Sequence, residues 1–104
     1  MIRKAFKMEV YPDKTEEYIQ RHNPIWDELK ATLKNHGVYY YNIFLDKESN
    51  FLYAYVEIES EEKWNSIAQT TICRQWWKSL DSLMKTNADD SPVTKELIEI
   101  FHLD

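Results

Sequence analysis

In the segment Tyr18-Ile19-Gln20-Arg21-His22-Asn23-Pro24-Ile25-Trp26, a histidine lies two residues before a helix breaker and one helical turn after a tyrosine. Imidazole is the side chain whose ordinary pKa lies near neutrality, so a histidine in this setting suits proton transfer. Pro24 has no amide hydrogen, and its ring pushes Asn23 away from helical angles. A helix running in from Asp13 is therefore expected to break or kink just past His22. That leaves the imidazole at a disturbed helix end, with Tyr18 on the same face. Taken alone, the segment suits a hydrogen-bonded histidine at a kink better than a catalytic one.

Trp76-Trp77 is the second unusual feature. Neighbours on a helix point about 100° apart, so the two indoles cannot share one environment. One is expected in the core. For the other, stacking on the C–H face of a sugar competes evenly with plain packing. Tyr41, on a strand, can add a phenol to such a pocket. His36 beside Gly37 reads as a helix-end residue complementing the dipole. His102 reads as a structural, dimer-contact or solvated residue of a terminal strand. The three histidines show no metal-ligand spacing, and the single Cys73 suits a small buried core residue. No Ser-His-Asp or Cys-His order is recognisable, and no metal is expected. Glu57, Glu59, Glu61 and Glu62 read mainly as solvated surface, although Glu57 or Glu59 on an inner sheet face could orient a hydroxyl.

The elements that must position these residues follow from periodicity. Alternation predicts strands over 2–10, 38–45 and 51–59, the last two joined by the turn Asp46-Lys47-Glu48-Ser49-Asn50. Asp13 followed by Glu16 predicts the cap of the first helix, which continues past Pro24 through Trp26, Leu29 and Leu33 to a left-handed cap at Gly37. Ser60 opens a helix carrying Trp64, Ile67 and Ala68. A further run after Thr70-Thr71 holds Ile72, Trp76, Trp77, Leu80 and Leu83, and a last strand is expected near 94–103. This order is that of an α+β, ferredoxin-like split βαβ sandwich. In strand three Leu52, Ala54, Val56 and Ile58 make an aliphatic face for the helices, opposite Phe51, Tyr53, Tyr55, Glu57 and Glu59. Strand two is apolar or aromatic on both faces, Tyr39, Tyr41, Ile43 and Leu45 against Val38, Tyr40 and Phe44. A sheet buried on both sides needs a second layer, and the simplest is the same sheet from a second copy, giving a homodimer.

Composition narrows the partners. One domain over residues 1–104 is expected, with four Trp, seven Tyr and four Phe in a chain that is otherwise ordinary at 43% hydrophobic and 30% charged. A net charge of −5 argues against nucleic acid or an anionic membrane as partner. A single glycine excludes a glycine-rich phosphate loop, and no run approaches the ~20 apolar residues of a membrane span. The start Met-Ile-Arg-Lys-Ala lacks the apolar centre of a signal peptide, so the cytoplasm is the default location.

Ile2-Arg3-Lys4-Ala5-Phe6, Arg21-His22-Asn23-Pro24-Ile25-Trp26, Val56-Glu57-Ile58-Glu59-Ser60-Glu61-Glu62, Trp64-Asn65 and Gln75-Trp76-Trp77-Lys78, in this order, resemble the L-rhamnose mutarotase family over essentially the whole chain. The resemblance implies a dimeric α/β-barrel and cofactor-free interconversion of the anomers of L-rhamnose. It also implies His22 as proton donor, with Tyr18, Tyr41, Trp76 and Trp77 contacting the sugar. The rival readings are a non-catalytic dimeric ligand-binding or regulatory domain, and a small heme or quinol monooxygenase of the same architecture.

Overall fold

A computed structural model describes all 104 residues. The elements are β1 (Ile2–Glu9), α1 (Thr15–Arg21), α2 (Asp27–Asn35), β2 (Val38–Asp46), β3 (Phe51–Ile58), α3 (Glu61–Ile67), α4 (Thr71–Leu80) and β4 (Lys95–Leu97). The strands form one sheet in the order β2-β3-β1-β4, every neighbouring pair antiparallel. β1 and β2 therefore run parallel with β3 between them, the split βαβ arrangement of an α+β ferredoxin-like fold.

The helices cover one face. Along β3, Leu52, Ala54, Val56 and Ile58 are no more than 2% exposed, and the residues between them are half-buried. Against this aliphatic face pack Leu29 of α2, Ile67 of α3, and Ile72, Cys73, Trp76 and Leu80 of α4. Two helix starts are capped as their sequences dictate: the Ser60 hydroxyl accepts from the Lys63 amide and the Thr70 hydroxyl from the Cys73 amide. Gly37 holds φ at +79°, and a Cβ there would lie 2.7 Å from the Glu59 Cβ, so the turn from α2 into β2 needs glycine.

Four expectations are corrected. Asp13 does not cap α1. Pro12 sets a 3₁₀ turn over Pro12–Lys14, which places Asp13 inside the turn, and the capping residue Lys14 makes no side-chain cap bond. Leu83 lies past the end of α4, buried in the following turn. Strand two does not alternate strictly: a bulge at Tyr39 puts Val38 opposite Ile58 and Tyr41 opposite Val56, so Val38, Tyr41, Ile43 and Leu45 all face the helices. The terminal strand spans only Lys95–Leu97, and Ile98, Ile100, Phe101 and Leu103 stand 75–93% exposed. The register Ala5↔Leu97 would bring Ile2, where β1 begins, opposite Ile100, so the tail outruns the sheet. Only the Arg3–Glu99 ion pair at 2.9 Å continues that register.

Candidate active site

Helix α1 ends where its own side chains take over the last turn's free carbonyls. His22 Nδ1 lies 2.8 Å from the Tyr18 carbonyl oxygen, and Asn23 Nδ2 donates to the Ile19 oxygen at 2.8 Å. The chain then turns through a cis Asn23-Pro24 peptide to Trp26, the residue capping α2. Arg21 braces this end from the other side: its guanidinium donates to the Ser79 carbonyl oxygen in α4 and pairs with Glu17. The imidazole is thus held by its own helix's backbone, and Arg21 ties the helix end that carries it to α4.

Aromatic rings complete the surroundings. The Tyr18 ring lies 4.3 Å from the His22 ring, nearly stacked at 34°, as the one-turn spacing requires. Trp76 meets His22 edge-on at 5.1 Å and meets Trp26 in the same way at 5.1 Å. From the sheet, Tyr41 packs 6.5 Å from Phe6 and 6.0 Å from Trp64. Tyr18, His22, Tyr41, Trp76 and Trp77 all line one open cleft of about 1100 Å³ between the helices and the sheet. Of the tandem tryptophans, Trp76 is the buried one, and the half-buried Trp77 packs between the two core clusters.

The electrostatics favour neutral groups. Burial pushes the His22 pKa below its ordinary value, and the bond to the Tyr18 carbonyl only partly opposes this. Burial also pushes both phenols up, Tyr18 with help from neighbouring Tyr41 and Tyr41 with help from Cys73. Tyr41 is 37% exposed, but it opens into the cleft, where its hydroxyl remains crowded by protein. The Cys73 thiol is buried and raised to about 11, which suits a core residue and disarms it as a nucleophile. Such a site suits an uncharged polar ligand with an apolar face.

Several residues stand elsewhere than expected. Glu57 accepts from the Tyr55 hydroxyl at 2.7 Å on the face away from the helices, and Glu59 pairs with Lys63 at 2.6 Å, so neither reaches the cleft. His36 Nδ1 contacts the Thr32 oxygen at the end of α2, and His102 lies beside Asp104 in the exposed tail. Sequence reasoning missed Phe6 and Trp64 as cleft walls, and Trp26 as the ring packed behind Trp76. Phe6 and Trp64 are joined to Tyr41 and to each other only by tertiary packing.

A family model described as L-rhamnose mutarotase matches residues 3–103. The chain belongs to the L-rhamnose mutarotase family. Members of it from Escherichia coli and Shigella flexneri are each 59% identical over 103 residues, covering 99% of this chain and of theirs. The crystal structure of an L-rhamnose mutarotase from Formosa agariphila superposes with a TM-score of 0.91 at 36% identity, over all of both chains. A putative antibiotic biosynthesis monooxygenase from Nitrosomonas europaea shares the fold, with a TM-score of 0.66 at 12% identity over 97% of this chain and all of its own. That likeness extends to the architecture alone.

Proposed function

We propose that this protein interconverts the α and β anomers of L-rhamnose without a cofactor, as a cytoplasmic single-domain enzyme of L-rhamnose metabolism. The observation that carries the reading is the grouping of one titratable imidazole with two un-ionised phenols and an indole wall in a single cleft of a mutarotase-family chain. Exchange of anomers needs a proton delivered to the ring oxygen and one removed from the anomeric hydroxyl, and then the reverse after rotation of the open aldehyde. His22 is the proton donor of this exchange, and Tyr18, Tyr41, Trp76 and Trp77 hold the sugar. A pyranose is uncharged and presents an apolar C–H face, which matches indole and phenol walls rather than a charged clamp.

The protein acts as a homodimer in this reading. The sheet face away from the helices carries Phe44, 63% exposed, and Tyr40, 52% exposed, and the tail beyond Leu97 is apolar and uncovered. A second copy supplies the missing layer.

The test is saturation-transfer NMR of L-rhamnose exchange. His22→Ala is expected to slow exchange by roughly 10²- to 10⁴-fold, the usual range for a lost acid–base group. A rate near that of the parent removes His22 from the chemistry. Running L-rhamnose beside L-mannose, L-lyxose and L-fucose sets the sugar range.

A further inference from the structure

The bond between His22 and the Tyr18 carbonyl decides which imidazole nitrogen is free to react. A carbonyl oxygen can only accept, so Nδ1 carries the hydrogen, and in the neutral ring Nε2 holds a lone pair. His36 makes the same contact with Thr32 at 2.7 Å, so this tautomer by itself is a habit of helix ends. His22 differs in lining the cleft, which His36 does not.

The rings in contact with His22 are uncharged. Tyr18 stands over it from its own helix, and Trp76 meets it from α4. Cys73, also on α4, and Tyr41, on β2, are both shifted toward their neutral forms. Asp27, Lys30 and Lys34 of α2 line the same cleft, as do Lys4 and Glu96 from the sheet. None of these charges contributes to the His22 shift, which comes from burial and the Tyr18 carbonyl alone.

The phenols are free as well. Those of Tyr39 and Tyr55 donate to Glu59 and Glu57, whereas those of Tyr18 and Tyr41 are not engaged within the chain. No fully buried side-chain oxygen lacks a partner, so the Tyr18 hydroxyl reaches open space, and the space it lines is the cleft.

We infer, on the mutarotase reading above, that His22 begins each turnover as a base at Nε2 and that a phenol of the Tyr18–Tyr41 pair supplies the proton for the ring oxygen. In ring opening, Nε2 takes the proton of the anomeric hydroxyl, whose oxygen becomes the aldehyde oxygen. The bond from the anomeric carbon to the ring oxygen breaks with its electron pair on that oxygen, which takes the phenolic proton. The open aldehyde then stands beside an imidazolium and a phenolate, whose charges cancel. After rotation about the bond next to the aldehyde, the phenolate recovers its proton from the sugar hydroxyl as that oxygen closes the ring. The imidazolium then returns its proton to the new anomeric oxygen. His22 is thus the proton donor of ring closure and the acceptor of ring opening. Phenols held un-ionised fit their part, because an alkoxide is a stronger base than even a buried phenolate.

Two measurements on the intact protein decide the matter. Nitrogen NMR of the labelled histidines at neutral pH should show His22 with Nδ1 protonated and Nε2 bare. The pH profile of kcat/KM should fall about tenfold per pH unit on the acid side, with its midpoint below about 6.5, and stay level to about pH 9. Tyr18→Phe or Tyr41→Phe should lower kcat more than it changes KM. A protonated Nε2, or activity that falls as pH rises through neutrality, overturns the base-first order while leaving the mutarotase reading intact. Unchanged kcat in both phenylalanine variants overturns the phenol's part. Exchange no faster than in buffer fails the mutarotase reading itself, and the inference with it.

Discussion

Trp76 bears on packing and chemistry at once. It is 7% exposed, belongs to the larger core cluster, and presents its indole to His22 and to Trp26 at right angles. Trp76→Ala is expected to cost about 3–5 kcal/mol in denaturant unfolding, because the cavity lies in the core. Trp76→Phe keeps an aromatic wall and most of the packing. It should raise KM for L-rhamnose several-fold while changing kcat less, as read from exchange rates over a range of sugar concentrations. A kcat loss with KM unchanged would place Trp76 in the proton chemistry instead. At this scale the Tyr18–His22 pair was legible in the sequence, since a one-turn spacing is a local property of any helix. Which of Trp76 and Trp77 is buried was not, because that depends on how α4 is rotated against the sheet.

Among elements, the decisive joint is the one between α1 and α4. Arg21 ties the last turn of α1 to the Ser79 carbonyl, one turn beyond Trp76, so the histidine and the indole keep a fixed relation. Arg21→Ala should leave the fold intact by circular dichroism and slow exchange by roughly ten- to a hundredfold, since small misplacements of reacting groups cost that much. A rate within twofold of the parent would show that packing alone holds the joint. Helix starts at Ser60 and Thr70 and the turn at Gly37 were readable because caps and left-handed turns are written in a few adjacent residues. The Tyr39 bulge was not readable. Strand two is aromatic or apolar on either face, so its sequence leaves the phase of alternation open, and pairing with β3 sets it.

At the scale of the whole molecule, two apolar surfaces stand uncovered in the single chain and would carry the proposed dimer: the sheet face bearing Tyr40 and Phe44, and the tail from Ile98 to Leu103. Removing residues 98–104 should convert a dimer to a monomer at micromolar concentration, as measured by light scattering after gel filtration. It should leave thermal unfolding of the monomer cooperative, since none of the tail belongs to either core cluster. A truncated chain that stays dimeric would assign the association to the sheet face alone.

By itself, the sequence determined the element order, the aliphatic face of β3, the break after His22 and the acid–base and aromatic inventory of the site. These are properties of neighbours a few residues apart, where propensity, capping and alternation act directly. The tertiary structure decided the rest. It turned Tyr41 toward the helices through a bulge, brought Phe6 and Trp64 beside it, kept Glu57 and Glu59 out of the cleft and shortened the last strand to three residues. It also engaged Nδ1 of His22 with a backbone carbonyl, which leaves Nε2 as the nitrogen without that partner. Each of these depends on register or on contact between distant segments, and such contacts are set by how the faces of several elements fit together rather than by any one stretch of chain.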